Sequence, residues 1–314
     1  MKINTVTGPI DTADLGATFM HEHVCCADWS LRANFGDRFF NFDEVVGIAT
    51  AMYSKMKDAC GVATVVDGTP INLGRDVRLI REVAERTGLN FVVSSGFYYQ
   101  MEPALAMRPE DEIAGWLLDE CSNGIQGTEI LPGIMKAAVD QSGVTPYLHK
   151  VLSAIGSVAA QTDLPIFCHH NPSLRNGGDI LDIFEAQGVA PNRVIMGHSG
   201  DTDELDYLQS LLNRGCYIGM DRFGYCDITL GLDRRVATIA ALCERGWAHR
   251  MFVSHDIAAY LGMFGAVNNS ALVGRPDYTL IHTQALPALL DAGVTRDTFD
   301  EMMSKNAARF FEGQ

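Results

Sequence analysis

Pro165-Ile166-Phe167-Cys168-His169 and, after a helical stretch at 178–187, Arg193-Val194-Ile195-Met196-Gly197-His198 make one repeating unit of this chain. Both runs are apolar almost throughout, as strands of a parallel sheet buried on both faces are. Each closes on a histidine. Upstream, the same alternation predicts strands at 17–23, 61–68, 90–96 and 130–136, with helices at 43–60, 72–88, 109–120 and 146–162. The stretch 24–42 is long, aromatic and irregular, as a loop over a site would be. Downstream, strands at 216–221 and 251–256 alternate with helices at 203–214 and 233–244, and helical stretches at 278–292 and 296–311 finish the chain. Eight apolar strands alternating with helices predict an α/β fold, a parallel (β/α)8 TIM barrel with C-terminal helices. No linker or low-complexity stretch divides 1–314, so one domain is expected. The alternative is an open doubly wound sheet, but no Gly-x-Gly-x-x-Gly follows a strand.

Composition bounds the function. Of 314 residues, 47% are apolar and 20% charged, which supports a sizeable core and argues against disorder. The formal net charge of −15 disfavours nucleic acid and anionic membranes as partners and suits an uncharged small molecule. No apolar run reaches membrane-spanning length. The opening Met1-Lys2-Ile3-Asn4-Thr5-Val6-Thr7 lacks the apolar core of a secretory signal. Eight cysteines without a Cys-x-x-Cys pair read as free thiols in a reducing compartment, so a cytoplasmic location is expected.

The chemistry lies at the strand ends. In Met20-His21-Glu22-His23 the two histidines share a strand face, and Glu22 faces away. Lys136 ends the fourth strand, His169 the fifth, His198 the sixth and Asp256 the eighth. The intervals are 33 residues, then 29, then 58, which is two units of 29. One βα unit with its loops takes about 30 residues, so these side chains recur at one level. In a barrel that level is the C-terminal rim, where active sites lie. Four imidazoles and a carboxylate there point to a metal centre, with zinc first and cobalt, manganese or iron also suited. Lys136 has three readings: a salt bridge or solvated end, a Schiff base, or a carbamate formed with carbon dioxide. A carbamate can bridge two metals about 3.5–4 Å apart.

These residues carry a resemblance to the phosphotriesterase family of the amidohydrolase superfamily. The matching stretches are Met20-His21-Glu22-His23, Gly133-Ile134-Met135-Lys136, 165–169 with Arg175 and Gly177 downstream, Gly197-His198-Ser199-Gly200-Asp201-Thr202-Asp203, and Val253-Ser254-His255-Asp256. The likeness runs in order to Asn306-Ala307-Ala308-Arg309-Phe310-Phe311. It implies that His21, His23 and Asp256 hold a buried metal and that His169 and His198 hold an exposed one. Carboxylated Lys136 and a hydroxide would bridge the two divalent ions. Within the family, Gly219-Met220-Asp221-Arg222-Phe223-Gly224 and Gly96-Phe97-Tyr98 resemble phosphotriesterase-like lactonases, although many of those have tyrosine in place of Phe223. The stretch 257–277, which would shape substrate choice, has no close match.

The resemblance implies a lactonase. The bridging hydroxide would attack the carbonyl, Tyr98 would bond the developing oxyanion, and Asp256 would carry the proton to the leaving alkoxide. The alternatives are a phosphotriesterase or other carboxylic ester hydrolase on the same centre, and a non-catalytic binding protein stabilised by its metals. The partner is then a small lactone or ester; a homodimer is compatible. Plainer readings stand beside these. Arg222 could be a structural ion pair with Asp221 or Asp256, and Tyr98 a packed aromatic. His170 should point out of the barrel by alternation, and His255 should pack or support a ligand. Asp201 and Asp203 could cap the next helix or orient a ligand histidine. Pro287 predicts a kink.

Overall fold

The computed structural model describes residues 1–227, 229–262 and 277–314. Apart from a short antiparallel pair at Lys2–Ile3 and Ile10–Asp11, its strands are β1 (Thr18–Cys26), β2 (Thr64–Asp67), β3 (Asn90–Gly96), β4 (Ile134–Ala138), β5 (Ile166–His169), β6 (Val194–Gly197), β7 (Tyr217–Met220), β8 (Met251–Val253) and β9 (Ala258–Leu261). Each of β1 to β7 pairs parallel with its successor in the chain. β9 then pairs parallel with β1. β8 and β9 are thus two pieces of one path, the first on β7 and the second on β1, and between them they close the barrel. The sequence predicted an unbroken strand at 251–256. The break comes because Asp256 takes a left-handed backbone, φ 57°, and its N–H bonds His21 O at 3.1 Å. The fold is the expected TIM barrel.

The helices are α1 (Trp29–Phe35), α2 (Phe42–Cys60), α3 (Val77–Thr87), α4 (Pro103–Ala106), α5 (Glu110–Asn123), α6 (Pro146–Thr162), α7 (Gly177–Ala186), α8 (Leu205–Asn213), α9 (Leu232–Glu244), α10 (Leu286–Asp291), α11 (Arg296–Asp300) and α12 (Asn306–Phe311). Side-chain caps start the longer ones: Asn41 accepts from Glu44 N, Asp76 from Leu79 N and Thr145 from Leu148 N. The stretch expected to be irregular at 24–42 in fact extends β1 to Cys26 and adds α1, which Asp28 caps. Pro287 lies in the first turn of α10, directly after a π-helical turn at Ile281–Ala285. The π turn and the proline together interrupt the regular α-helical bonding here. No helix among the described residues is long and apolar enough to cross a membrane.

One buried side chain from each of β1 to β8 fills the lower lumen: Met20, Val66, Val92, Ile134, Phe167, Ile195, Tyr217 and Phe252. Phe310 and Phe311 of α12 seal this layer from below, Phe310 edge-on to Tyr217 and Phe252. The floor is therefore a packed plug, and chemistry is confined to the other end.

Candidate metal centre

One layer above the plug the lumen turns polar. The alternation that turns Ile134 inward also turns Lys136 inward, and Phe167 brings His169 with it. On β1 an extra residue opposes β2, since Phe19 pairs with Val65 and Glu22 with Asp67. This bulge lets Met20 join the plug while His21 and His23 face the centre. A Cβ on Gly68 would stand 2.7 Å from His21 Cδ2, so only glycine admits that imidazole. By alternation from Ile195, His198 should face outward. Instead its backbone is left-handed, φ 63°, and the side chain turns back inward. Arg222, φ 62°, has the same conformation just past β7. Such non-glycine residues are uncommon and concentrate at functional sites.

Lys136 Nζ donates to His21 Nε2 at 2.8 Å. Asp256 Oδ1 lies 3.3 Å from that nitrogen and 3.1 Å from His23 Nε2. His198 Nε2 faces His169 Nδ1 at 2.8 Å. One ligand atom each from His21, His198 and Asp256 fall within 4.8 Å of one another. Each imidazole has its other nitrogen engaged by an oxygen. Asp221 Oδ2 is 3.0 Å from His21 Nδ1, and Asp221 Oδ1 is 2.9 Å from His198 Nδ1. Thr69 Oγ1 is 2.8 Å from His23 Nδ1, and Asp140 Oδ2 is 3.1 Å from His169 Nε2. Oxygen partners of this kind fix ring orientation at metal sites.

The electrostatics suit a cation. Burial pushes His21 down to about 4, against the pull of Asp256, and holds His198 well below its ordinary value with help from the Arg222 guanidinium. Burial lowers His169 too; at His23 burial is outweighed by Cys26 and Asp256, which push it the other way, up to about 10. Neutral imidazole is the form that binds metal. Burial opposes ionisation of Asp256, but His21, His198 and the bond from His23 outweigh it and keep the carboxyl well below the usual range. Burial pushes Lys136 down to about 8 despite Asp256 and Asp221. Its Nζ, which also lies 4.3 Å from the Phe167 ring centre, sits on the His21 lone pair that a metal would share. The neutral imidazoles of His21 and His198 and the ionised carboxylate of Asp256, converging within 4.8 Å, fit a divalent cation.

The remaining predicted residues border this cluster. Tyr98 OH is 3.4 Å from His169 Nδ1, and burial raises its phenol well above the usual value, so it stays a proton donor. Arg222 donates from Nε to Asp256 Oδ2 at 3.2 Å and from NH1 to Asp201 Oδ2 at 2.7 Å. Asp201, which also accepts from Arg235 NH2 at 2.8 Å, does not cap the next helix. Asp203 accepts from Arg234 instead. His170 points away, to Gly197 O at 2.5 Å and Tyr207 OH at 3.1 Å. His255 packs behind the wall against Glu22 Oε1 at 2.8 Å. Of the stretch 257–277, residues 263–276 lie outside the described residues. Sequence reading missed the supporting roles of Asp221, Asp140 and Thr69. Asp221 did carry a signal, because it ends the strand skipped in the 58-residue interval. Asp140 and Thr69 follow their strands at no telling spacing.

The chain matches the family model described as Phosphotriesterase family over residues 1–311. It is 38% identical to the phosphotriesterase homology protein of Mycobacterium tuberculosis, over 100% of this chain and 98% of that one. It is 32% identical to the aryldialkylphosphatase of Saccharolobus solfataricus, over 96% of each. The solved structure of the phosphotriesterase from Mycobacterium tuberculosis aligns with a TM-score of 0.94 at 37% identity, covering 100% of this chain and 99% of that one.

Proposed function

Because this chain belongs to the phosphotriesterase family, and is with it a metal-dependent hydrolase of ester or phosphoester bonds, we propose that it opens lactone rings. The observation that carries the reading is a pair of side chains beside the centre. Tyr98 presents its hydroxyl alongside His169, and Arg222 holds Asp256. We assign His21, His23 and Asp256 to one divalent ion and His169 and His198 to a second, with Lys136 carboxylated on Nζ between them. Zinc is the first choice, with cobalt, manganese and iron also suited. When bound, such ions supply Lewis acidity and lower the pKa of water towards neutrality.

The chain's own residues do the rest. Tyr98 donates its O–H to the carbonyl oxygen as that oxygen gains charge. Asp256 takes up a proton at the centre and delivers it to the leaving alkoxide, and Arg222 keeps that carboxylate aimed. The barrel, 1–314, acts as one domain. A cytoplasmic location is supported by eight cysteines that are all free thiols. The reading includes a homodimer, which sedimentation of the purified chain would test.

Two experiments test the reading. Tyr98→Phe should lower kcat on lactones by about 10- to 1000-fold, with a smaller loss on an aryl phosphotriester and metal content unchanged. Arg222→Ala should shift the ratio of the two activities the same way. Equal losses on both substrates would reduce these residues to support of the fold. For Lys136, Ala should abolish activity, short carboxylic acids plus metal should restore part of it, and Arg should not be rescued. A bare ammonium in active, metal-replete protein would remove the carbamate. Phosphotriester hydrolysis is the second reading, favoured by the likeness to an aryldialkylphosphatase; activity on the phosphotriester alone would establish it.

A further inference from the structure

We infer that Asp221 is a positioning residue shared by both ions, one carboxylate setting the tautomer of a ligand of each. The inference rests on the two-ion assignment above. Asp221 is fully buried at the end of β7, and both its oxygens are committed. Oδ2 bonds His21 Nδ1 at 3.0 Å. Oδ1 bonds both His198 Nδ1 and the His198 main-chain N–H, each at 2.9 Å. A carboxylate only accepts, so both rings must carry their proton on Nδ1. That leaves both Nε2 atoms with a lone pair facing the centre. His21 belongs to one ion and His198 to the other, so neither ion is independent of Asp221. Asp140 differs, because among the metal ligands it meets only His169. Nearby groups hold Asp221 in register. Arg235 NH1 donates to its main-chain oxygen, and a Cβ on Gly219 would come within 2.9 Å of Oδ2.

The consequence is asymmetric. In Asp221→Asn the carboxamide oxygen should stay on the His198 side, where it accepts from two N–H groups. The amide NH2 then faces His21 Nδ1, which must become an acceptor. The His21 proton moves to Nε2 and blocks coordination there. The test uses zinc alone, with 15N-histidine NMR of the loaded protein and a chelator competition. In the wild type, His21 and His198 should both be protonated on Nδ1. In Asp221→Asn, the ion at His21 should weaken about 10- to 100-fold, the usual cost of losing such a partner, while the ion at His198 holds. Asp221→Ala should weaken both ions, and Asp140→Asn only the ion at His169. A proton on Nε2 of either His21 or His198 in the zinc-loaded wild type overturns the inference. So does Asp221→Ala with one ion or neither weakened. If circular dichroism shows that the Ala variant does not fold, the wild-type spectrum and the isosteric Asn variant decide. One zinc per wild-type chain would instead overturn the two-ion assignment itself.

Discussion

Gly68 shows how little room the centre leaves. A methyl group there would meet His21 Cδ2 at 2.7 Å and Lys136 Nζ at 3.3 Å. Both neighbours are buried, and His21 is tied to Asp221 on its far side. The imidazole therefore cannot retreat without breaking that bond. Gly68→Ala should weaken zinc binding by about 10- to 100-fold, the range seen when support of a ligand is lost. Chelator competition on folded protein measures it, and unchanged affinity would mean that the ring has slack. The sequence marks Gly68 as no more than the end of a strand. Its role emerges only when β1 and β2 pair and the bulge swings His21 across it.

His170 ties three elements together. It leaves β5, bonds Gly197 O at the end of β6, and meets Tyr207 OH on α8. Burial pushes its imidazole down to about 4. The neutral ring therefore donates through Nδ1 to the carbonyl and accepts at Nε2. The folded value lies below the unfolded one, near 6.5. This contribution to stability is thus complete above pH 6.5, declines as pH falls towards about 4, and levels off below. The full span is on the order of 3 kcal/mol at 1.36 kcal/mol per pKa unit. Urea unfolding of metal-free wild type and His170→Gln across that range measures the difference. The wild type should lose stability more steeply on acidification, and parallel profiles would show that His170 ionises freely. Alternation correctly predicted that His170 turns away from its neighbour His169. Its partners on β6 and α8 lie 27 and 37 residues on, beyond any local pattern.

The barrel as a whole separates a floor from a rim. Eight inward side chains and the paired aromatics of α12 form the floor. Phe310 is wholly buried there. Phe310→Ala should cost about 3–5 kcal/mol, the range for truncating a buried phenylalanine. Zinc bound per folded chain should not change, because the centre lies on the other side of the plug. Denaturant unfolding and metal analysis read the two separately. A cost below about 1 kcal/mol would mean that the floor collapses to refill the gap, as some sites can. Ring closure also belongs to the whole molecule. Tyr278 OH donates towards both His23 O and Ile257 O, at 2.9 and 3.0 Å, where β9 meets β1.

Strand period, strand length and the interval of about 29 residues are local properties, written in consecutive side chains. They were enough to predict eight strands, a parallel barrel, and His21, His23, Lys136, His169, His198 and Asp256 at one rim. Local pattern could not predict how that rim is aimed. His198 violates alternation and is turned inward by a left-handed residue. Asp256 ends an interrupted strand for the same reason. The bonds that define the centre join residues far apart, 200 positions for His21 to Asp221 and 233 for His23 to Asp256. Whether Arg222 pairs with Asp221, Asp256 or Asp201 likewise depends on how three strand ends converge. Periodicity reports which face of a strand is buried. Only ring closure decides which groups from different strands meet, because each such contact needs every intervening strand in register.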